Sequence, residues 1–332
     1  MNIIHVIAGM QKAAGTTTFV ENVTRGLVSN GLKVKIVMST EGLEYCDVMH
    51  IHGLWSGLLH KSAKYAKGNG IPIVWSTHGM TAPWSMRHKW WKKIPAWWIY
   101  QKRDLKMAKI IHCTTQLEAG WNNALGFNNC FVAPLGTNRI NSSWSKNQTA
   151  HTLLFVGRIY PVKGLANLIQ AWKLCGDVRD WRLRIVGPDQ DGHRAELERL
   201  IAELGLGGSV HFAGPKFGWE LSEEYESCDC LVLPSFTENF GATIVDALAH
   251  GKPCIASTFT PWSDLVEWGC GWWVENDPSK LSRTICELIA TSDDELRRMG
   301  ERGRKLVEEK YTWNVVVQKM IEVYEEILND RP

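Results

Sequence analysis

The chain has 332 residues, more than one hydrophobic core usually supports, so two domains are expected. With 45% hydrophobic and 22% charged residues it lies far from disordered compositions, and no apolar run approaches the roughly 18 residues of a membrane span. The net charge of +2 hides an asymmetry: residues 1–150 carry 17 Lys and Arg against 6 Asp and Glu, and the rest carry 20 against 29. Only the first half is suited to an anionic partner.

Taken in chain order, MNIIHVIAGM has no basic lead and starts directly as a strand, so no secretory leader is expected. The strand IIHVIA is followed by the loop GMQKAAGTT, with Gly15, and a helix from about Phe19 to Asn30, closed by Gly31. Strands KVKIVM, DVMHIHG, IPIVWSTHG, KIIHCTT and FVAPLG follow. The four runs after KVKIVM are short and nearly unalternating, as in parallel strands covered on both faces. WSTHGM presents His78 just beyond a strand end, where a histidine is structural or functional; His50 and His52 in HIHG are read as structural. The polar, aperiodic NSSWSKNQTA, 141–150, reads as a linker. The strand–helix alternation then restarts with TLLFVG, WRLRIVG, VHFAG, CLVLP, KPCIAS and GWWV, and a helix over 312–328 closes it. The expected fold is therefore α/β, with two Rossmann-like doubly wound domains.

Nine cysteines are scattered along the chain, most within apolar runs such as IIHCTT and KPCIAS. They read as buried thiols of a reducing cytoplasm, and the pair Cys228 and Cys230 lacks the second cluster of a zinc site.

Three stretches carry chemistry. In FVGRIYPVKG, Arg158 and Lys163 leave a strand end ahead of a helix; two cations there suit a diphosphate, or are solvated surface charges. In FTENFGATIVDALAHG, Glu238 and Asp246 flank a helix start at Asn239, Phe240 and Gly241. In residues 83–109, Trp84, Trp90, Trp91, Trp97 and Trp98 interleave with Arg87, Lys89, Lys92, Lys93, Lys102, Arg103 and Lys106. That pattern suits an anionic bilayer surface, single-stranded nucleic acid, or a tryptophan core with a charged outer face. Asp189-Gln190-Asp191 has the spacing of a metal-binding acid pair but reads as a solvated turn.

GRIYPVKG followed by PSFTENFGATIVDALAHGKPCIAS resembles the retaining nucleotide-sugar glycosyltransferases of family four, which have the GT-B fold of two domains facing across a cleft. The family pattern is G-R-x(4)-K-G, then P-S-x(2)-E-x-F-G-x(4)-E-A-x-A-x-G-x-P. The resemblance implies an acceptor-side domain over 1–140, with helix 312–332 packing back on it, and a nucleotide-sugar domain over 151–311. It implies transfer of a hexose, with retention, from a nucleoside diphosphate sugar to a lipid-linked or growing glycan acceptor. Glu238 would hold sugar hydroxyls and Asp246 the ribose, although the family usually has Glu at that position. The amides around Asn239, Phe240 and Gly241 would meet the diphosphate. Arg158 and Lys163 would meet its charge, with no metal or other cofactor expected. His78 would lie near the transferred sugar. Gly15 matches the second residue of the family's glycine pair, and Ala14 replaces the first. Trp84, Arg87, Lys89, Trp90, Trp91, Lys92 and Lys93 would touch an anionic membrane on its cytoplasmic face; nucleic acid is not expected as a partner. The rivals are another GT-B enzyme, such as a sugar-nucleotide epimerase or a phosphorylase, and a non-enzymatic membrane or nucleic-acid module, which leaves Glu238 and Asp246 unexplained.

Overall fold

The computed structural model describes residues 1–10, 15–140 and 150–329. Its contacts divide the chain into one unit of Met1–Gly136 with Tyr311–Pro332, and a second of Thr137–Lys310. The linker assigned to 141–150 lies almost wholly outside the described residues, as does Ala14.

In the first unit, strands β1 (Asn2–Ile7), β2 (Lys33–Val37), β3 (Val48–His52), β4 (Ile73–Ser76), β5 (Ile110–Cys113) and β6 (Cys130–Val132) form one sheet in the order β2-β1-β3-β4-β5-β6. All its pairings are parallel. β3 and β4 are buried along their whole length, which explains their unalternating apolar runs. The first helix, Gly15–Ser29, begins four residues earlier than the sequence suggests: the threonines that read as loop form its first turn, with Thr17 buried. Helix Trp313–Asn329 lies against it, and a Cβ added at Gly26 would come within 2.3 Å of a Val317 methyl.

In the second unit, strands β7 (His151–Val156), β8 (Trp181–Val186), β9 (Val210–Gly214), β10 (Cys230–Leu233), β11 (Cys254–Ser257) and β12 (Gly271–Val274) form a sheet in the order β12-β11-β10-β7-β8-β9. It too is parallel throughout. Each unit is thus a doubly wound α/β sheet, as the strand–helix alternation requires.

The cysteines correct one expectation. Cys46, Cys113, Cys228, Cys230, Cys254 and Cys270 are buried, but Cys130 and Cys175 are half-buried and Cys286 is exposed. Cys286 lies on helix Pro278–Ala290, with its Sγ 3.0 Å from that of Cys175. An apolar neighbourhood in sequence does not bury a residue on the outer face of an amphipathic helix.

Candidate active site

In the second unit the chain runs from β7 outward to β8 and β9, then returns to start β10 on the other side of β7. A ligand crevice in such a sheet lies at that reversal, beyond the carboxyl ends of the two strands. The loops after β7 and β10 carry Arg158 and Lys163, and Glu238, respectively.

These loops are interlocked. The Phe236 amide donates to the Val162 carbonyl at 2.8 Å. Gly164 has φ +70°, and a Cβ there would lie 2.1 Å from the Pro234 carbonyl oxygen, so only glycine permits the approach. Asn276 donates its side-chain amide to the same carbonyl. The interlock brings the Lys163 ammonium onto a Glu238 carboxylate oxygen, which also accepts from the Ser235 hydroxyl at 2.8 Å. Both side chains of the ion pair are about 15% exposed, at the rim rather than in the core. Arg158 is exposed and donates to the Gln190 side-chain carbonyl at 2.7 Å.

Gly241, with φ +84°, heads helix Ala242–Ala249. A larger residue there would press on Leu233 and the Trp262 indole. A glycine N-cap offers no side-chain acceptor to the first-turn amides, which suits an arriving anion. The Thr243 hydroxyl in that turn is buried without a partner among the described residues. Phe240 is buried, packed edge-on to Trp262 at 5.4 Å, and its carbonyl accepts the indole N–H, so its ring anchors the turn. Asn239 is half-buried beside it. Asp246, one turn into the helix, accepts from the Thr137 hydroxyl at 2.8 Å. Burial raises its pKa to about 6 despite that bond. Asp189 and Asp191 are exposed; the Asp189 carboxylate accepts the Arg194 amide at the start of helix His193–Glu203, so the acid pair forms a turn and a helix cap.

In the first unit, β4 runs out into Thr77, His78 and Gly79, with left-handed backbone at His78 (φ +48°) and Gly79 (φ +72°). The turn is held by Glu118, a residue that no motif in the sequence marks as functional. Its carboxylate accepts from the Thr77 hydroxyl at 2.6 Å, the Gly79 amide at 2.5 Å, and the amide and hydroxyl of Thr114 at 2.7 and 2.9 Å. Burial would raise its pKa, but these bonds outweigh burial and hold it below the usual range. The available signal is local: Thr115 and Glu118 have capping-box spacing, and the Thr115 hydroxyl accepts the Glu118 amide at 3.0 Å. Behind His78 lie His5, His50, His52 and His112, all buried, with pKa values lowered chiefly by burial: about 3 for His5 and about 4 for His78. Among the described residues, a Cβ added at Gly15 would meet nothing within 4 Å, so packing against them does not explain that glycine.

The tryptophan-rich stretch forms helices Pro83–Arg87 and Trp90–Ala96, a π-turn Trp97–Gln101 and a last turn Lys102–Leu105. Trp97 is in the core, but Trp84, Trp90, Trp91, Ile94, Trp98 and Ile99 are 45–72% exposed. Arg87, Lys89 and Lys92 are exposed beside them. Lys93 is half-buried; it donates to the Ser85 carbonyl at 2.5 Å and lies over the Trp55 ring, so it belongs to the scaffold of this face.

Two doubly wound units, the second with its charged loops at the sheet reversal, define a GT-B protein, and solved structures share that fold. The chain matches the Anabaena protein HepE in complex with UDP-glucose at a TM-score of 0.76 and 16% identity, over 98% of this chain and 100% of that one. Sucrose-phosphate synthase from Thermosynechococcus elongatus gives 0.75 and 17%, over 100% of both. The chain belongs to the glycosyl transferases group 1 family, whose profile matches residues 137–306. Among curated relatives, the MMP alpha-(1->4)-mannosyltransferase of Mycolicibacterium hassiacum is 26% identical over 72% of this chain and 61% of its own length. The lipopolysaccharide 1,2-N-acetylglucosaminetransferase of Salmonella typhimurium is 29% identical over 53% and 48%. The chain thus spans about half to three-fifths of the length of these relatives. Among the described residues, no helix is long and apolar enough to cross a membrane.

Proposed function

We propose that this chain transfers a hexose from a nucleoside diphosphate sugar to a lipid-linked or oligosaccharide acceptor, with retention of anomeric configuration. The observation that carries this reading is the Lys163–Glu238 pair, set at the sheet reversal beside the glycine-headed helix. The bond between the sugar's anomeric carbon and the diphosphate oxygen breaks, and the acceptor oxygen bonds to that carbon on the same face. The departing phosphate oxygen takes the acceptor's proton. Negative charge grows on the leaving diphosphate, where Lys163, Arg158 and the helix N-terminus stabilise it without need of a metal. Glu238 shares Lys163 with the diphosphate and takes sugar hydroxyls. Asp246 takes the ribose, and His78 faces the transferred sugar. UDP-glucose, bound in HepE, is the first donor to try.

Lys163→Ala should slow turnover by roughly 10²–10³-fold, the cost of one preorganised donor to a developing anion. Glu238→Gln should impair discrimination between donor sugars more than nucleotide affinity. Steady-state kinetics over a panel of nucleotide sugars checks both, and turnover like the wild type in both variants removes the reading.

The exposed tryptophans and lysines support docking on an anionic membrane, on its cytoplasmic face, where a lipid-linked acceptor would be found. Lys67, Arg103 and Lys106 line a cavity of about 400 Å³. Changing Lys89 and Lys92 together to Ser should release about 2 kcal/mol, at about 1 kcal/mol per lysine, or roughly thirtyfold in partitioning. Sedimentation with anionic and neutral liposomes measures it; equal binding to both surfaces, or none at low salt, sinks the membrane reading.

A further inference from the structure

His5, His52 and His78 form a line that ends at the rim of the first unit's sheet. Nδ1 of His5 lies 2.8 Å from Nε2 of His52, and Nδ1 of His52 lies 3.1 Å from Nε2 of His78. A neutral imidazole carries one N–H, so the line has two possible directions. In one, each ring donates forward from Nδ1, and His78 presents Nδ1–H beyond the line. In the other, each donates backward from Nε2, and His5 ends with an inward N–H.

His5 decides between them. Its Nε2 is buried and has no partner among the described residues. An orphaned buried N–H is rarer than an under-used acceptor, because a donor stripped of water loses its one bond. The forward direction leaves only a lone pair at that position. A neighbouring column removes the other escape. His112 Nε2 must donate to the Ala133 carbonyl at 2.8 Å, so its Nδ1 accepts from the Ser76 hydroxyl at 2.6 Å. Ser76 in turn accepts from His50 Nε2, and His50 Nδ1 accepts from the Tyr324 hydroxyl, both at 2.6 Å. That column is saturated and can lend His5 nothing. It also argues against a metal on His5, His50 and His52, whose ring nitrogens lie within 4.8 Å of one another, since both nitrogens of His50 are already engaged.

We propose that His5 and His52 are positioning residues that fix His78 as its Nδ1–H tautomer. His78 then acts on the substrate as a hydrogen-bond donor, to a sugar hydroxyl or to charge developing near it, and not as a base. This rests on the assignment of His78 to the reaction site. The turn held by Glu118 keeps the ring at the end of the line.

The test uses the full chain labelled with ¹⁵N-histidine and a long-range ¹H–¹⁵N correlation spectrum, in which protonated and bare ring nitrogens differ widely. The His78 signals are those lost in His78→Gln. The expected result is a protonated Nδ1 and a bare Nε2; the reverse overturns the proposal, and this measurement needs no variant of the line to fold. In folded His52→Phe, His78 should lose its fixed tautomer, and turnover should fall at least about tenfold with the donor KM little changed. That is well inside the roughly 10⁴-fold a wrong histidine tautomer can cost. His52→Asn, whose amide N–H lies near where Nδ1 did, should recover most of it; equal loss in both variants reduces His52 to packing and overturns the proposal. Wild-type turnover in His78→Gln would instead remove His78 from the reaction, while the tautomer measurement would still stand on its own.

Discussion

Asp246 is a carboxylate whose burial lifts its pKa to about 6, against about 3.9 in an unfolded chain. Between those values the folded protein holds the extra proton, so stability is lost as the pH rises from about 4 to about 6, and the full cost remains above that. The difference between the two values corresponds to up to about 3 kcal/mol. Asp246→Asn keeps an acceptor for Thr137 and removes the titration. Its melting temperature should approach the wild type near pH 3.5, below both pKa values, and exceed it by several degrees at pH 7.5; a gap that does not grow with pH contradicts the assignment. If the ribose role holds, the same variant binds nucleotide more weakly. Spacing singled out Arg158, Lys163, Glu238, Gly241 and Asp246, because a strand end, a glycine and a helix start are local signals; the roles proposed for them came from the family resemblance. That Lys163 is paired with Glu238, or Asp246 with Thr137, was not legible. Those partners lie 75 and 109 residues apart, and which loops meet is set by the order of strands in the sheet.

The loops after β7 and β10 act as one element. Gly164→Ala combines a left-handed backbone, worth roughly 1–2 kcal/mol against a side chain, with a Cβ driven onto the Pro234 carbonyl. A loss of at least about 2 kcal/mol in stability is expected in a chemical-denaturation series, with the Phe236–Val162 bond broken. Gly15→Ala, where a Cβ meets none of the described residues within 4 Å, should melt like the wild type and serves as the control. If both melt alike, the interlock does not constrain the loop. The strands could be read because each buried parallel strand leaves a short apolar run between turn signals. The tryptophan stretch could not be oriented from its spacing. Trp97, Gln101 and Leu105 make one helical stripe and Trp90, Ile94 and Trp98 make another; the structure buries the first and exposes the second. Two tryptophan-bearing stripes on one helical segment leave the choice to tertiary packing.

At the scale of the whole molecule, four buried histidines and the half-buried His78, all held neutral, make the first unit sensitive to acid. Their folded pKa values lie below the ordinary 6.5, so the unfolded chain binds more protons and stability is lost as the pH falls below about 6.5, by up to about 1.4 kcal/mol per pH unit for each ring. Asp246 works in the opposite sense, but it is one group against five. Calorimetry from pH 7 to pH 5 should show a falling transition for the first unit, and a flat profile would mean the rings are not buried neutral. The division of the chain has a further consequence, in time. Tyr324 completes the column that begins at Ala133, and Trp313 packs where a Cβ on Gly136 would come within 2.7 Å of its ring. Both belong to a helix made only after the 174 residues of Thr137–Lys310. At about 5–20 residues per second, a ribosome spends roughly 10 to 35 seconds on that interval. Through it, the newborn sheet must wait with His50 unsatisfied and the face of Gly26 uncovered, a lag during which a chaperone would find it open.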